Sequence, residues 1–506
     1  MALLSWRVVY DGKTPPPGEV VRPDERLSWP RTVGLGAQHV VAMFGGTFVF
    51  PLVMGLNPQL AIMLSGVATI AFLLIVSGKV PSYLGTSASF VGGVVAIRAQ
   101  GGDSADVTGA ILVSGLVLVL VGAAIHYFGA GTLNKVLPPV VTGAVVMLIG
   151  FNLAFVVHDT YWPQDQWVAL LTLVFVIVGA VGFRGFFGRI AIFLGLIFGY
   201  GISWLFDRIF GQITSYSAAA GKDTTHWRVD WSGVKASDWI GFPPHTSGSV
   251  VGWHFPSFSI TFILLVLPAV IALVAENTAH VKAVGEMTGT DVNPVLGRGV
   301  IGDGVGTVIA SFFGGSPTTT YAENIGVMAA TRIYSTAAYY VAAVVAILLG
   351  LSPKFGAVVD ATPGAVLAGV TCVLYGMIGM LGAKIWKENR VNLGNPINLV
   401  PIAAGIILAI ANVDLKFTDN FSLGGIALGT IVAIGGYHLA KLIAPQHMKD
   451  DLEDEPVPST LSPAVPPDPD IDAISAAPAP VVESVAEAET EPAESPVLVA
   501  DEPGKE

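Results

Sequence analysis

The chain is poor in charged residues and has almost no cysteine. Only 12% of its 506 residues are charged, and Cys372 is its single cysteine. Soluble domains average roughly 25% charged residues, so a water-soluble globule of this composition could not cover its surface. One cysteine excludes an intrachain disulfide and a thiolate zinc cluster. Hydrophobic residues make up 53% of the chain and glycines number 59, which together predict a polytopic membrane protein.

The formal net charge of −12 comes from the end of the chain. Residues 450–506 hold 16 of the 37 acidic residues and one basic residue, Lys505, which leaves 24 Lys and Arg against 21 Asp and Glu elsewhere. Those basic residues are scattered singly, so nucleic-acid binding is not indicated. The end of the chain is rich in Pro, Ala, Glu and Asp and has no aromatic residue. This composition predicts a disordered acidic cytoplasmic tail over residues 445–506.

Apolar runs alternate with short polar or Gly/Pro breaks from Thr32 to about Ile443. At roughly 20 residues per spanning helix, the pattern predicts an all-α polytopic membrane protein with fourteen transmembrane segments. The third and tenth segments are too short to cross as full helices. The predicted segments lie near residues 33–54, 58–77, 82–97, 107–128, 137–157, 167–183, 189–210, 257–281, 299–313, 323–331, 333–351, 363–382, 397–413 and 422–443.

Basic residues in the loops predict the orientation, because short cytoplasmic loops collect Lys and Arg. Loops after even-numbered segments contain Lys79, Lys135, Arg184, Arg189, Lys282, Arg298, Arg332, Lys384, Lys387 and Arg390. Short loops after odd-numbered segments contain only Arg98, Lys354 and Lys416. Both termini are therefore predicted to be cytoplasmic, with an N-terminal arm over residues 1–31 and an extracellular loop over residues 211–256.

A weak internal repeat relates the two halves of the chain. The run Gly85-Thr86-Ser87-Ala88-Ser89 interrupts the third segment, and Ser316–Ala322 precedes the tenth about 234 residues later. Two halves of seven segments each must enter the membrane in opposite orientations. Inverted repeats of this kind are common in secondary transporters, whose interrupted segments mark the binding site. The sequence thus predicts a 7+7 repeat with short extended segments before half-helices 3 and 10.

Ionisable residues inside apolar spans are costly, and five of them are singled out as functional candidates. Glu276 and His280 are four residues apart and share a helix face. Glu323 begins the tenth segment, Asp303 lies in the glycine-rich ninth, and His39 in the first. A carboxyl group in a low-dielectric site can take up a proton near neutral pH, which offers a route for coupling solute movement to a proton gradient.

Structural roles remain open for the same residues. Glu323 can cap the N-terminus of its own helix, and Glu276 can be an acid that pins two packed helices. His280 can be a proton relay or a structural hydrogen-bond donor. Asp303 can simply anchor the ninth segment, because the neighbouring glycines permit close helix packing, and the polar pair Gln38-His39 can serve helix packing.

The segment around Glu323 resembles the signature of the nucleobase–ascorbate transporter family, a Glu/Gln/Pro-Asn-x-Gly-x-x-x-x-Thr-Lys/Arg/Gly pattern. The matching residues are Glu323, Asn324, Gly326, Thr331 and Arg332. Three further stretches are similar to the bacterial uracil and pyrimidine permeases of that family, namely Gln38-His39, Pro81–Gly85 and Ala275–Val284. The resemblance extends over roughly residues 30–445.

The resemblance implies a proton symporter in the cytoplasmic membrane, without a cofactor or a metal. It implies a core domain of residues 32–131 and 257–352 and a gate domain of residues 132–210 and 353–444. Family members form dimers through the gate domain, so a homodimer is an expectation for this chain.

The resemblance also implies a site. Glu276 is expected to hydrogen-bond a pyrimidine ring, and Glu323 to bind substrate and take part in proton coupling with His280 beside it. Ala88 and Ala322 are expected to contribute backbone groups, with the aromatic residues Tyr321 and Tyr375 near the substrate. The residues expected to surround this site are Gln38, His39, Asp303 and Asn324.

The chemistry of uracil fits two carboxylates and free backbone N–H groups. Uracil is neutral and planar, and its two N–H donors alternate with two carbonyl acceptors. Xanthine or uric acid is the alternative substrate, because Ala88 takes a position held by Phe in a uracil permease and enlarges the pocket. Inorganic-anion transport is disfavoured by the two acids. A membrane-embedded enzyme, or a receptor or scaffold that works through the acidic tail, is the hypothesis from another class.

Overall fold

Helices form wherever the sequence is apolar. The structure is a computed structural model that describes residues 5–16, 19–129, 137–184, 186–217, 222–243, 246–247, 250–418 and 421–453. The principal helices are α1 (Trp29–Val53), α2 (Pro58–Ile75), α3 (Val91–Ala99), α4 (Ser104–Phe128), α5 (Pro139–Asn152), α6 (Gln166–Gly182), α7 (Ala191–Phe210), α8 (Ile260–Thr288), α9 (Asn293–Phe312), α10 (Ala322–Thr331), α11 (Thr336–Gly350), α12 (Gly364–Glu388), α13 (Pro396–Ile410) and α14 (Gly425–Ile443).

Short strands and helical turns connect them. The strands are β1 (Arg7–Val8), β2 (Glu25–Arg26), β3 (Leu84–Thr86), β4 (Ile213–Ser217), β5 (Lys222–His226), β6 (Thr246–Ser247), β7 (Val250–Val251), β8 (Thr318–Thr320), β9 (Asp414–Thr418) and β10 (Phe421–Gly424). The short helices are Tyr10–Gly12, Ala88–Phe90, Ala154–Val156, Val157–Tyr161, Trp162–Gln164, Phe186–Arg189, Ser232–Ala236, Pro353–Asp360 and Gln446–Glu453.

The predicted multi-pass helical architecture is confirmed at the level of helix content. Each of the fourteen predicted segments overlaps one of α1–α14. Among the described residues, nine helices are long and apolar enough to cross a membrane, or ten if the bent pair Thr336–Gly350 and Pro353–Asp360, at 83°, is one span. The count of fourteen spans and the 7+7 repeat therefore stay predictions.

The chain is mostly helical, and the described residues also contain five two-stranded sheets, of which only the two interrupted segments were predicted to be extended. Strands β1 and β2 pair in parallel, and the other four pairs are antiparallel. Three of the antiparallel pairs, β4–β5, β6–β7 and β9–β10, are hairpins between helices. In the fourth pair, β3 and β8 come from the two interrupted segments, and their backbone groups form hydrogen bonds with each other. Helical periodicity in the sequence does not reveal such pairing.

Strands β3 and β8 form the buried centre of the fold. Leu84 pairs with Thr320 and Thr86 pairs with Thr318, and all of these residues are buried. At one end, the N–H of Ser87 donates to the carbonyl oxygen of Pro317 at 2.9 Å. Exposed backbone groups are not tolerated in hydrocarbon, so this pairing allows two extended segments to lie inside a membrane protein.

Two threonines on neighbouring helices accept backbone N–H groups of the two strands. The Oγ1 of Thr69 in α2 accepts the N–H of Leu84 at 2.9 Å, and the Oγ1 of Thr307 in α9 accepts the N–H of Thr318 at 3.1 Å. The two threonines play the same role in the two halves of the chain. Their spacing is close to that of the interrupted segments, which supports the predicted repeat.

The helices pack as two groups. Helices α1–α4 and α8–α11 pack mainly among themselves, with α9 lying along both α4 and α2. Helices α5–α7 and α12–α14 form the other group, in which α12 contacts α5, α6 and α7. This grouping agrees with the expected core and gate, although the assignment of moving domains stays a prediction.

The N-terminal arm is folded against the start of α11. The N–H of Val21 donates to the carbonyl oxygen of Arg332 at 3.0 Å, and the N–H of Tyr334 donates to that of Val21 at 2.8 Å. The indole Nε1 of Trp6 donates to the Oγ1 of Thr336 at 2.8 Å. Backbone pairing therefore attaches the arm to the segment that follows α10, which the sequence did not predict.

Both ends of the described chain contain more helix than the sequence predicted. Helix α1 begins at Trp29, so the last residues of the predicted arm belong to it. The stretch Gln446–Glu453 is helical, which corrects the expectation that disorder begins at residue 445. The rest of the predicted disordered tail, residues 454–506, lies outside the described residues.

A buried arginine holds the long connection after α7. The Nε of Arg228 lies 2.7 Å from the Oδ2 of Asp165, and its Nη1 lies 3.2 Å from the Oδ1 of Asp207. The side chains of Arg228, Asp165 and Asp207 are only 10%, 6% and 10% exposed. Asp165 also accepts the N–H groups of Trp167 and Val168 at the start of α6. The connection is therefore anchored to α6 and α7.

Replacing Arg228 by methionine should destabilise the folded protein. The change leaves Asp165 and Asp207 without their cation, and breaking a buried ion pair from one side costs roughly 3–5 kcal/mol. We expect R228M to lower the thermal unfolding temperature in detergent. The control is Arg208→Met, since Arg208 is exposed and stacks on Trp204 at 5.5 Å. Equal unfolding temperatures for the two variants would contradict the anchoring role.

Candidate functional site

The two interrupted segments start two short helices. Ala88 is the first residue of the turn Ala88–Phe90 that leads into α3, and Ala322 is the first residue of α10. Ala88 is half-buried and Ala322 is exposed. The first backbone N–H groups of a helix have no partner within it and carry the positive end of its dipole. Both helix starts can therefore offer N–H donors to carbonyl oxygens of a ligand.

Three carboxyl groups lie near the start of α10. Those of Asp303 and Glu323 are close enough to that of Glu276 to interact with it electrostatically. Glu276 and Glu323 are half-buried, whereas Asp303 is fully buried. Like charges repel strongly in a low-dielectric site. Protons, or N–H donors of a ligand, would relieve that repulsion.

Asp303 is occupied by the protein itself. Its Oδ2 accepts the Nδ2 of Asn277 at 2.8 Å and lies 3.4 Å from the Oγ1 of Thr319. The backbone N–H of Thr320 also donates to this carboxylate. Asp303 thus joins α9 to α8 and to β8, as the structural alternative predicted.

Glu323 makes the local contact expected of a helix cap. Its carboxylate accepts its own backbone N–H, and it lies in the first turn of α10. The side chain is nevertheless half-buried, and four acceptor positions on a carboxylate exceed what one N–H can fill. Capping is therefore compatible with contact to a ligand.

His280 contacts the second strand. Its Nδ1 lies 2.9 Å from the Oγ1 of Thr320. Glu276 is one helical turn before it on α8, so the two side chains share a face directed toward β8 and α10. The proximity of His280 to the two glutamates in a substrate site stays a prediction.

Asn324 and His39 attach α10 to α1. The Nδ2 of Asn324 donates to the carbonyl oxygen of His39 at 2.9 Å. The ring of His39 lies on that of Tyr339 in α11, with centroids 4.3 Å apart. Both Asn324 and His39 are buried, whereas Gln38 is half-buried. These contacts position the start of α10 relative to α1 and α11.

Tyr321 fits between α1 and β3 because two glycines leave room for it. Its hydroxyl donates to the carbonyl oxygen of Thr86 at 2.8 Å. A Cβ atom at Gly46 would lie 2.6 Å from that hydroxyl, and one at Gly85 would overlap the ring. Tyr321 is therefore locked in place directly before α10.

Tyr375 contributes an aromatic surface from α12. Its ring stacks on that of Phe50 in α1, with centroids 6.4 Å apart. Its hydroxyl is buried and has no hydrogen-bond partner among the described residues. Buried polar groups are normally paired, so this hydroxyl is available to a polar ligand between the two groups of helices.

The sequence did not indicate several residues that contact the predicted site residues. Thr320 and Asn277 hold His280 and Asp303, Thr86 holds Tyr321, and Phe50 faces Tyr375. The run of three threonines before Tyr321 was a usable signal, because polar β-branched residues in an extended segment indicate side chains that bond on both faces. Nothing in the sequence marks Phe50 among its apolar neighbours.

Removing the carboxylate of Asp303 should unfold the site rather than only weaken a ligand contact. Asp303→Ala leaves the buried donors of Asn277 and Thr320 unpaired, at about 1–3 kcal/mol for each. We expect a lower thermal unfolding temperature and a smaller folded fraction in size-exclusion chromatography. Glu286→Gln, on the exposed face of α8, is the matched control. A D303A protein as stable as this control would show that Asp303 does not anchor the site.

A protein-family model and several curated relatives match most of this chain. The family described as "Permease family" matches residues 30–416. RutG of Escherichia coli (strain K12), provisionally named a pyrimidine permease, is 40% identical over 424 residues, which are 82% of this chain and 90% of RutG. The uracil permease of Bacillus caldolyticus is 35% identical over 428 residues, 82% of this chain and 92% of that protein. The uracil permease of Bacillus subtilis (strain 168) is 31% identical over 444 residues, 84% of this chain and 95% of that protein.

Solved structures share the fold at low sequence identity. The transmembrane domain of the cyanobacterial bicarbonate transporter BicA has a TM-score of 0.52 and 14% identity, covering 80% of this chain and 96% of that domain. The murine anion transporter Slc26a9 has a TM-score of 0.56 and 12% identity, covering 82% of this chain and 68% of that protein. Identities this low support the fold alone.

The relatives are named permeases, and none of the three is an enzyme by name. The matched family covers most of the helical part of this chain, including α1, β3, α8 and the segment around Glu323. The chain is therefore a multi-pass membrane transporter that belongs to this permease family, the nucleobase–ascorbate or nucleobase:cation symporter-2 family.

Proposed function

We propose that this protein takes up uracil or a related pyrimidine together with protons across the cytoplasmic membrane. The observation that carries the proposal is the pair of half-buried carboxylates, Glu276 and Glu323, at the start of α10. The names of the relatives, which are uracil and pyrimidine permeases, support a nucleobase as the substrate.

The donors and acceptors of the site match those of a pyrimidine ring. The carboxylates of Glu276 and Glu323 can accept the two ring N–H groups. Backbone N–H groups at Ala88 and Ala322 can donate to the ring carbonyls, because both residues begin helices. A ligand without those N–H groups would leave a buried carboxylate unpaired, which gives strong discrimination. Tyr375 supplies an apolar surface for the ring and an unpaired hydroxyl.

Glu323 and His280 are proposed to carry the coupling proton. Glu323 shares its surroundings with a second glutamate, so protonation reduces like-charge repulsion. His280 is held by Thr320 one helical turn after Glu276, and we propose that it relays the proton within the protein. A loaded proton would reduce the negative charge of the site, and the N–H groups of a bound nucleobase would solvate the charge that remains, which lowers the cost of moving the site through the membrane.

We propose that α1–α4 with α8–α11 move as a core against a gate of α5–α7 with α12–α14. The separate packing of these two groups supports this division. The distribution of basic residues supports fourteen spans with both termini in the cytoplasm. A homodimer through the gate is part of the proposal, since exposed apolar residues such as Val181, Met380, Ile407 and Leu442 lie on that group.

Cells that lack their own pyrimidine permeases should accumulate labelled uracil when they express this protein. We expect a protonophore to abolish accumulation, because the proton gradient drives it. Unlabelled thymine and xanthine, added in excess, report the choice of substrate. Absence of uptake for every nucleobase tested would overturn the transport proposal, whereas uptake that resists the protonophore would overturn only the proton coupling.

Substitution of the two glutamates should separate binding from coupling. Glu276→Gln replaces a charged acceptor of a ring N–H by a neutral amide, and a hydrogen bond to a charged group contributes roughly 1.5–3 kcal/mol. We expect uracil affinity to fall by about 10- to 100-fold in a binding assay on purified protein. Glu323→Gln should retain measurable binding but lose proton-driven accumulation. Glu286→Gln on the exposed face of α8 is the control, and wild-type accumulation by both site variants would refute the assignment.

A further inference from the structure

A polar cavity lies beside α3, away from the carboxylates. It has a volume of about 240 Å³ and is bounded by α3, the end of α5, α8, the β9–β10 hairpin and the start of α14. The residues that line it with polar side chains are Gln100, Asn152, Asn412 and Asp414. One wall comes from the proposed core and the facing wall from the proposed gate.

The cavity extends along α3 from the first turn of the helix to the residue after its end. Gly92 and Gly93, in the first turn of α3, line its inner part, and Gln100 lines its outer part. The eight residues between Gly92 and Gln100 correspond to about 12 Å of helix at 1.5 Å per residue. Ala88, at the candidate site, is one turn before Gly92. The cavity thus lies on a direct course from the candidate site to the end of α3.

Asn152 presents a fixed hydrogen-bond acceptor to this cavity. It is buried, and its Nδ2 donates to the carbonyl oxygen of Ala409 at 2.6 Å. That bond fixes the orientation of the amide, so the Oδ1 is directed toward α3. A Cβ atom at Gly92 would overlap the side chain of Ile426 and would lie 3.0 Å from this oxygen. The absence of a side chain at Gly92 therefore makes room for Ile426 and leaves the acceptor uncovered on the side of α3.

The lining suits a small neutral molecule with both donors and acceptors. Three carboxamides can each donate and accept hydrogen bonds. Asp414 is the one charged residue among the described residues of the lining, and it is exposed at the hairpin. A single carboxylate attracts N–H donors and repels anions. Arg98, which lies on the same helix, is directed elsewhere, to the carbonyl oxygen of Gly55 and the Oγ of Ser104.

We propose that this cavity is an extracellular vestibule that binds a nucleobase before the molecule reaches Glu276 and Glu323, with the Oδ1 of Asn152 accepting a ring N–H. The inference rests on the proposed function for the identity of the ligand. It rests on the proposed membrane orientation for the assignment of the cavity to the extracellular side. In that orientation the end of α3, the end of α5 and the β9–β10 hairpin all face outward. The vestibule is a site separate from the central one, because none of its polar side chains contacts the glutamates.

Thiol labelling tests the vestibule independently of transport. Since Cys372 is the only cysteine, Gln100→Cys in a Cys372→Ser background has a single thiol at the outer part of the cavity. We expect a membrane-impermeant methanethiosulfonate to label it on intact cells, and excess uracil to slow the labelling by about threefold or more, as for mostly occupied sites. This protection should persist when Glu276→Gln is added, because that substitution disables the central site and leaves the vestibule intact.

A second variant tests the role of Asn152 without breaking its bond to Ala409. Gly92→Ala places a methyl group over the Oδ1 and should remove the protection by uracil. Gly201→Ala, in α7, is the matched control, because no atom outside its helix lies within 4 Å of the added Cβ. Its protection should equal that of the parent protein.

The outcomes separate the vestibule from the proposed function. Protection that disappears with Glu276→Gln, or that survives Gly92→Ala, overturns the vestibule, as does a thiol that reacts only when the inner side is exposed to the reagent. Uptake of uracil without any protection of the thiol supports the transport function and contradicts the vestibule. Protection without uptake rejects transport and retains the vestibule.

Discussion

The antiparallel pairing of β3 with β8 is the constraint on which the rest of the structure depends. Two segments leave helical geometry in the middle of an apolar chain, and their backbone groups must be satisfied without water. They satisfy each other, and Thr69, Thr307 and Asp303 satisfy the remaining N–H groups from α2 and α9. Because the pairing fixes where both strands end, it also fixes where α3 and α10 begin. The free N–H groups of those helices then lie near Glu276 and Glu323.

The acids around this pairing have different physical roles although they lie close together. Asp303 is buried and accepts hydrogen bonds from α8 and β8, so its charge serves the fold. Glu276 and Glu323 are half-buried and keep acceptor capacity, so they are the groups that a ligand or a proton can reach. The same fold occurs in a bicarbonate transporter and in an anion transporter. A fold of this kind does not decide the substrate, and the carboxylates argue for a ligand with N–H donors.

Sequence reasoning recovered the interrupted segments and the residues beside them, because glycine, proline and polar residues are conspicuous in an apolar chain. It predicted that Glu276, His280 and Glu323 lie near one another; the carboxyl groups of Glu276 and Glu323 interact, and His280 lies one helical turn after Glu276 and contacts Thr320. It did not find the five small sheets, the docking of Val21 beside Tyr334, or the contact between Arg228 and two aspartates. The docking of Val21 and the contacts of Arg228 join residues far apart in the chain, and no periodic pattern in the sequence indicates them or the sheets.

The sequence by itself determined the class of protein, the approximate position of each helix and the family to which the chain belongs, since all three follow from local composition and a continuous motif. Only the tertiary structure decided which polar groups are already occupied. It separated the anchored Asp303 from the more accessible Glu276 and Glu323, and it turned the Asn152 amide toward Gly92. The physical reason is that hydrogen-bond partners are chosen in space, by strands and helices that meet after long separations along the chain.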